Sequence, residues 1–236
     1  AMVASLLADT PSELYNVPLI RDTDVVSDLL SLHGVQIDFD QDRGTLRMDP
    51  SNVKIASRSD IDTLAGASRI PILFCGPLLH QLGEAFIPEL GGCAIGGRPI
   101  DFHLETLRKF GAIVDKQPDG VHIKRPSSGL HGAIIELPFP SVGATEQTLL
   151  TAVRNEGITT LKGAAIEPEI LDLINVLQKM GAIISVDTDR TIRIEGVAKL
   201  NGYRHTALPD RIEAASWGAA ALATHGDIYV RGAHQP

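Results

Sequence analysis

Leu171-Asp172-Leu173-Ile174-Asn175-Val176-Leu177-Gln178-Lys179-Met180-Gly181-Ala182-Ile183-Ile184 is the stretch whose reading decides the fold. Apolar residues recur at helical spacing up to Met180, a glycine stops the helix, and a strand follows. The same pattern occurs twice earlier in the chain. It reads Val25-Val26-Ser27-Asp28-Leu29-Leu30-Ser31-Leu32-His33-Gly34-Val35-Gln36-Ile37 and Leu104-Glu105-Thr106-Leu107-Arg108-Lys109-Phe110-Gly111-Ala112-Ile113-Val114. The stop glycines Gly34, Gly111 and Gly181 are 77 and 70 residues apart. Each suits the left-handed residue just past a helix, where a side chain would cost energy. A second strand follows each copy: Thr45-Leu46-Arg47-Met48, Val121-His122-Ile123-Lys124 and Thr191-Ile192-Arg193-Ile194. Asp119-Gly120 marks a hairpin turn between two such strands.

A second, more apolar element interleaves with the first. Three helices end at Gly83, Gly157 and Gly226 and are followed by Ala85-Phe86-Ile87, Ile158-Thr159-Thr160-Leu161 and Asp227-Ile228-Tyr229-Val230, read as strands. The unit is therefore βαβαβ-like, with one exposed and one buried helix, repeated about three times. Ala214-Ala215-Ser216-Trp217-Gly218-Ala219-Ala220-Ala221-Leu222-Ala223 is apolar on every side, which predicts a helix enclosed by sheets. Val3-Ala4-Ser5-Leu6-Leu7-Ala8 reads as the tail of another buried helix, and the chain as a piece of a longer protein. The apolar surface left around the first unit is then expected to receive the helix at 210–225, within one chain or by exchange between two.

Composition narrows the class. Of 236 residues, 44% are hydrophobic, 21% charged and only 4% aromatic, which describes a globular chain with an aliphatic core. A net charge of −8 argues against a nucleic-acid partner, which would meet a basic face. No apolar run approaches the ~20 residues of a membrane span. Two cysteines, Cys75 and Cys93, make no disulfide framework and suit a reducing cytoplasm. Cys75 follows Ile70-Pro71-Ile72-Leu73-Phe74 and reads as a buried hydrophobe. The eight histidines are scattered, so no metal site is expected.

Cys93 differs from Cys75. It lies in Gly91-Gly92-Cys93-Ala94-Ile95-Gly96-Gly97-Arg98-Pro99-Ile100-Asp101, with a cation and a carboxylate close by in sequence. An accessible thiol near an arginine is a candidate proton donor or nucleophile; the alternative is a surface cysteine on a turn. The loop lies between strand 86–90 and helix 102–110, but its spacing is wrong for a dinucleotide fingerprint. Arg69 opens a buried helix with Ser68 as N-cap. A cation at the positive end of a helix answers either an anionic ligand or a surface ion pair. Ser141-Val142-Gly143-Ala144-Thr145 begins the next buried helix, where a serine cap and free amides together make an anion site. Asp210 reads as the N-cap of the third, and Glu167-Pro168-Glu169 as a helix start. If the units pack around a pseudo-threefold axis, the starts at Arg69, Ser141 and Asp210 converge on one face.

The glycine-rich loop, Phe139-Pro140-Ser141-Val142-Gly143-Ala144-Thr145, Glu167-Pro168-Glu169-Ile170 and Leu208-Pro209-Asp210-Arg211-Ile212-Glu213 fall in order across nearly the whole chain. Together they resemble the UDP-N-acetylglucosamine 1-carboxyvinyltransferases, the enolpyruvyl-UDP-GlcNAc synthases of the EPSP synthase superfamily. The resemblance implies an α/β fold: two inside-out α/β barrel domains, each of three βαβαββ units around buried central helices. Residues 1–208 would be the first, UDP-sugar-binding domain, truncated at its N-terminus, and 209–236 the start of the second.

The activity implied is transfer of enolpyruvate from phosphoenolpyruvate to the 3′-hydroxyl of UDP-N-acetylglucosamine, with release of phosphate, in cytoplasmic peptidoglycan synthesis. It needs no cofactor and no macromolecular partner beyond the second domain. Cys93 matches the family's general acid, the thiol that fosfomycin would alkylate. Arg69 and Arg98 match arginines that grip phosphoenolpyruvate. Arg98, Pro99, Ile100, Asp101 and Phe102 match the stretch that holds the uracil, and Ser141, Val142 and Gly143 a diphosphate-binding helix start. Asp210 and Glu169 are further site candidates. Departures are Gly97 for a more usual alanine, and the lack here of the family's opening Lys-Asn pair and second-domain groups. A shikimate-phosphate enolpyruvyl transferase and a non-catalytic module of the same fold are the alternatives.

Overall fold

The computed structural model describes residues 1–65, 68–88, 90 and 99–233. Its strands, in chain order, are β1 (Ser12–Tyr15), β2 (Gln36–Asp40), β3 (Thr45–Asp49), β4 (Glu84–Ile87), β5 (Ile113–Gln117), β6 (Gly120–Lys124), β7 (Ile134–Glu136), β8 (Ile158–Lys162), β9 (Ile183–Val186), β10 (Ile192–Glu195) and β11 (Arg204–Thr206). The helices are α1 (Arg21–Leu32), α2 (Arg58–Ala65), α3 (Cys75–Gln81), α4 (Asp101–Lys109), α5 (Val142–Ala152), α6 (Pro168–Met180) and α7 (Arg211–Thr224), with 3-10 segments at Met2–Leu7 and Ile70–Phe74.

The strands make three sheets of one design, ordered β11-β1-β3-β2, β4-β6-β5 and β7-β8-β10-β9. In each, a strand leads into an amphipathic helix (α1, α4 or α6), which returns through a hairpin whose second strand pairs antiparallel with the first. The stop glycines take positive φ as expected: +84° at Gly34, +93° at Gly111 and +107° at Gly181. Charges suit the helix dipole, with Asp101 in the first turn of α4 and Arg108 and Lys109 in its last. Strand β11 pairs parallel with β1, Leu14 opposite His205, so the third unit is hydrogen-bonded to the first. The sheets stay separate among the described residues.

Inside lie Met2–Leu7, Ile70–Phe74 with α3, and α5. Leu6, Leu7, Cys75, Leu79, Leu149 and Val153 belong to one core. The opening segment is buried as expected, but as a 3-10 turn rather than an α-helix. α3 and α5 approach closely: a Cβ on Gly76 would lie 2.2 Å from Thr151 Oγ1. Polar groups on the buried α5 are satisfied within the helix or by its neighbours, except Gln147 Oε1, which is buried without a hydrogen-bond partner. Thr148 and Thr151 hydroxyls donate to Ala144 and Gln147 carbonyls, and His80 Nε2 donates to the Thr151 carbonyl at 2.8 Å.

Several expectations fail, each for a physical reason. The apolar helix α7 buries no residue, and it does not close over the first unit. Burial needs walls, and among the described residues no sheet covers it. Asp227–Val230 forms no strand, because no described strand lies beside it to pair with. Strand β4 stops at Ile87, before Pro88, which has no amide to continue a ladder. The β5–β6 hairpin turns on Pro118-Asp119, one residue earlier than Asp119-Gly120, with Gln117 opposite Gly120.

Candidate active site

Helix α5 presents the best-defined corner of the site. Ser141 is its N-cap, and its Oγ accepts from the Ala144 amide at 3.4 Å. The helical ladder gives Val142 and Gly143 amides no acceptor, so the first turn offers donors and a partial positive charge. Thr145, one turn in, is buried and accepts from the Ala165 amide at 3.0 Å. The helix start is thus anchored to the loop before α6.

Two consecutive side chains of α4 brace this turn. Phe102 meets Phe139, two residues before the cap, in an edge-on ring pair with centroids 5.1 Å apart. His103 packs directly on Gly143: a Cβ there would lie 2.9 Å from His103 Cε1 and 3.0 Å from Nε2. The close approach, and not backbone conformation, favours glycine here. The His103 Nδ1 is buried and has no hydrogen-bond partner. Burial, reinforced by the charge of Arg69, pushes the His103 imidazole down to about 4, so it is neutral at physiological pH.

Arg69 therefore stands near the α5 start. It caps Ile70–Phe74, while the Ser68 hydroxyl accepts from the Ile70 amide and donates to Asp22. Pro99 and Ile100 lead into α4. Asp101, its first residue, is exposed and pairs with Lys116 at 3.6 Å. Cys93 and Arg98, with the rest of 91–98, lie outside the described residues. Cys75 is fully buried and its thiol is pushed far up by desolvation, which makes it inert.

The third helix start forms a separate corner. Asp210 caps α7, accepting from the Ile212 and Glu213 amides at 2.7 and 3.2 Å. Arg211 reaches Glu169 on α6 with two bonds, at 2.8 and 3.1 Å. These hydrogen bonds hold the Glu169 carboxyl below its ordinary range. Both residues line a cleft of about 390 Å³ with Glu146 of α5. Burial pushes the Glu146 carboxyl up, reinforced by Glu169. Asp210 and Glu169 are thus engaged with Arg211 and helix amides rather than left open.

Sequence reasoning missed His103. The available signal was its place, immediately after the Asp101-Phe102 stretch at a helix start. Among the described residues no group of three His, Cys, Asp or Glu side chains is placed to hold a metal ion, and no helix is long and apolar enough to cross a membrane.

Comparison with known proteins assigns the lineage. Residues 1–235 match the family model of EPSP synthase (3-phosphoshikimate 1-carboxyvinyltransferase). The chain is 44% identical to the UDP-N-acetylglucosamine 1-carboxyvinyltransferase of Protochlamydia amoebophila, covering 98% of this chain and 50% of that one. It is 45% identical to the Acidiphilium cryptum protein of the same name, over 98% and 54% of the two chains. The chain spans about half the length of the curated relatives it matches. In fold it resembles the enolpyruvyl transferase NikO of Streptomyces tendae, with a TM-score of 0.81 at 23% identity over 93% of this chain and 51% of that one. An Acinetobacter baumannii EPSP synthase follows, with a TM-score of 0.70 at 19% identity over 93% and 50%.

Proposed function

The chain belongs to the EPSP synthase family, and on that premise we propose that its protein transfers enolpyruvate from phosphoenolpyruvate to the 3′-hydroxyl of UDP-N-acetylglucosamine, releasing phosphate. Relatives at 42–45% identity carry that enzyme's name. One observation carries the reading to the residues. Arg69 and the free amides of Val142 and Gly143, more than seventy positions apart in sequence, are gathered around His103 at the foot of the Pro99–Phe102 stretch. Such a corner suits an anion held by a guanidinium and a helix start.

In this reading Ser141, Val142 and Gly143 hold the diphosphate, and Arg98 with Pro99, Ile100, Asp101 and Phe102 the uracil. Arg69 and Arg98 grip phosphoenolpyruvate. Cys93 is the general acid toward its methylene carbon. Closure over the substrates excludes water around the tetrahedral intermediate. Residues 1–208 form a first domain of the inside-out barrel type, and 209–236 begin a second. The exposed face of α7 supports that division, since the rest of a second domain would enclose it. The cytoplasm is the compartment where both substrates and a reduced Cys93 coexist.

Titration of this chain with UDP-N-acetylglucosamine, followed by a phosphate-release assay with phosphoenolpyruvate, tests the reading. Saturable binding without turnover is expected, along with fosfomycin labelling that Cys93→Ser abolishes. Absence of nucleotide-sugar binding overturns the reading in favour of a non-catalytic module. Phosphate release by this chain alone overturns the division into two required domains.

A further inference from the structure

Phe139 is a large aromatic side chain left 56% exposed beside the site. Its neighbours explain its orientation but not its exposure. Phe102 is half-buried against the core and meets the Phe139 ring at an interplanar angle of 69°, which favours one setting of that ring. More than half of its surface still faces outward. The ring stands two residues before Ser141, so its backbone lies within about 7 Å of the helix cap. Phe102 in turn adjoins Asp101. An open aromatic face thus lies between the turn assigned to the diphosphate and the stretch assigned to the base.

We propose that Phe139 is the stacking platform for the planar base of the nucleotide sugar, and a specificity-determining residue that favours base-bearing diphosphates over sugar phosphates without a base. The inference rests on the nucleotide-sugar reading above. Stacking suits this position because the face needs no hydrogen-bond partner, and a ring already held by Phe102 loses little freedom on binding. Judged by base–aromatic stacking in single-stranded nucleic-acid binding, an effect of about tenfold is expected.

The test uses uridine diphosphate and N-acetylglucosamine 1-phosphate as separate probes on this chain, by calorimetry and proton NMR. Wild type is expected to bind uridine diphosphate with upfield shifts of the two uracil ring protons. Phe139→Leu should weaken that binding about tenfold, abolish the ring-current shift and leave the sugar phosphate unaffected. Phe139→Tyr should restore both affinity and shift. Equal uridine diphosphate affinity in wild type and Phe139→Leu overturns the platform while leaving the nucleotide-sugar reading intact. So does a Phe139→Tyr variant that folds but fails to recover binding. If wild type binds neither probe, the nucleotide-sugar reading falls and the platform falls with it.

Discussion

Helices α5 and α7 are both rich in small and apolar residues and have no distinct polar face, yet α5 is walled in and α7 is bare. Eight of the eleven residues of α5 are buried, packed among α3, α4 and α6. None of the fourteen residues of α7 is buried; Trp217 is 54% and Leu222 81% exposed. Composition marks a helix as one that belongs inside, but its surroundings decide whether it gets there. The helix starts differ too. The enclosed α5 has its first turn held by Phe102 and His103 on one side and Ala165 on another. The first turn of α7 is held by Asp210 and a single ion pair to Glu169.

The strongest way to break this comparison is to truncate one leucine in each helix. Leu149→Ala empties space in a fully buried position and should cost about 2–5 kcal/mol in urea unfolding. Leu222→Ala should stay within about 0.5 kcal/mol. A large cost at Leu222, rising with protein concentration, would mean that α7 is buried against a second copy in solution.

Acid sharpens the contrast next. His80, on α3 against α5, is pushed down to about 4 by burial, and His103 likewise. Both are neutral in the fold, whereas an unfolded histidine takes up a proton near pH 6.5. Their stabilising contribution is therefore complete above pH 6.5 and is lost as pH falls toward 4, by roughly 3 kcal/mol for each. Unfolding free energies measured between pH 7.5 and 4 should show this decline. His80→Gln, which retains a donor for the Thr151 carbonyl, should flatten about half of it. An unchanged slope in that variant would remove His80 from the explanation.

How much of this was legible beforehand follows from what is local. Gly34, Gly111 and Gly181 announce themselves, because a helix stop depends on the chain's own φ. The three hairpins follow from short-range alternation, although the β5–β6 turn lies one residue from the expected place. The capping roles of Ser141 and Asp210 were also readable, since a cap needs only its own next turn. The fate of α7 was not readable, because its walls would come from elsewhere in the fold. His103 escaped for the same reason: its importance comes from Gly143, forty residues away, and not from its neighbours in sequence. The motif resemblance nominated Cys93 and Arg98, and their geometry lies outside the described residues.

A pair of glycines tests the rigidity of the two helices. Glycine to alanine inside a helix should stabilise it by about 1 kcal/mol where space allows. At Gly218 in α7 nothing lies within 4 Å of a new Cβ, so Gly218→Ala should raise helicity in circular dichroism. At Gly143 the new methyl meets the His103 ring at 2.9 Å, so the gain should vanish. Displacing His103 disturbs the first turn of α5, and nucleotide-sugar affinity should fall about tenfold. Equal stabilisation at both sites would show that His103 yields freely and does not brace the turn.

The smallest effect is expected at the tether. Arg211 and Glu169 are both substantially exposed, so Arg211→Ala should leave the global melting temperature nearly unchanged. Its consequence should be local. The two bonds join the starts of α6 and α7, and their loss should speed amide exchange through α7 and proteolysis between 207 and 211. Acid should imitate the substitution. Hydrogen bonds from Arg211 hold the Glu169 carboxyl below its ordinary range, so the tether is fully present above the ordinary carboxylate pKa and is lost as pH falls through the depressed value. If exchange in α7 responds to neither change, the helix is held instead by the neighbouring cleft, where Trp217 faces the Asn16, Pro18 and Ile20 segment. Trp217→Ala, and not Arg211→Ala, would then release it.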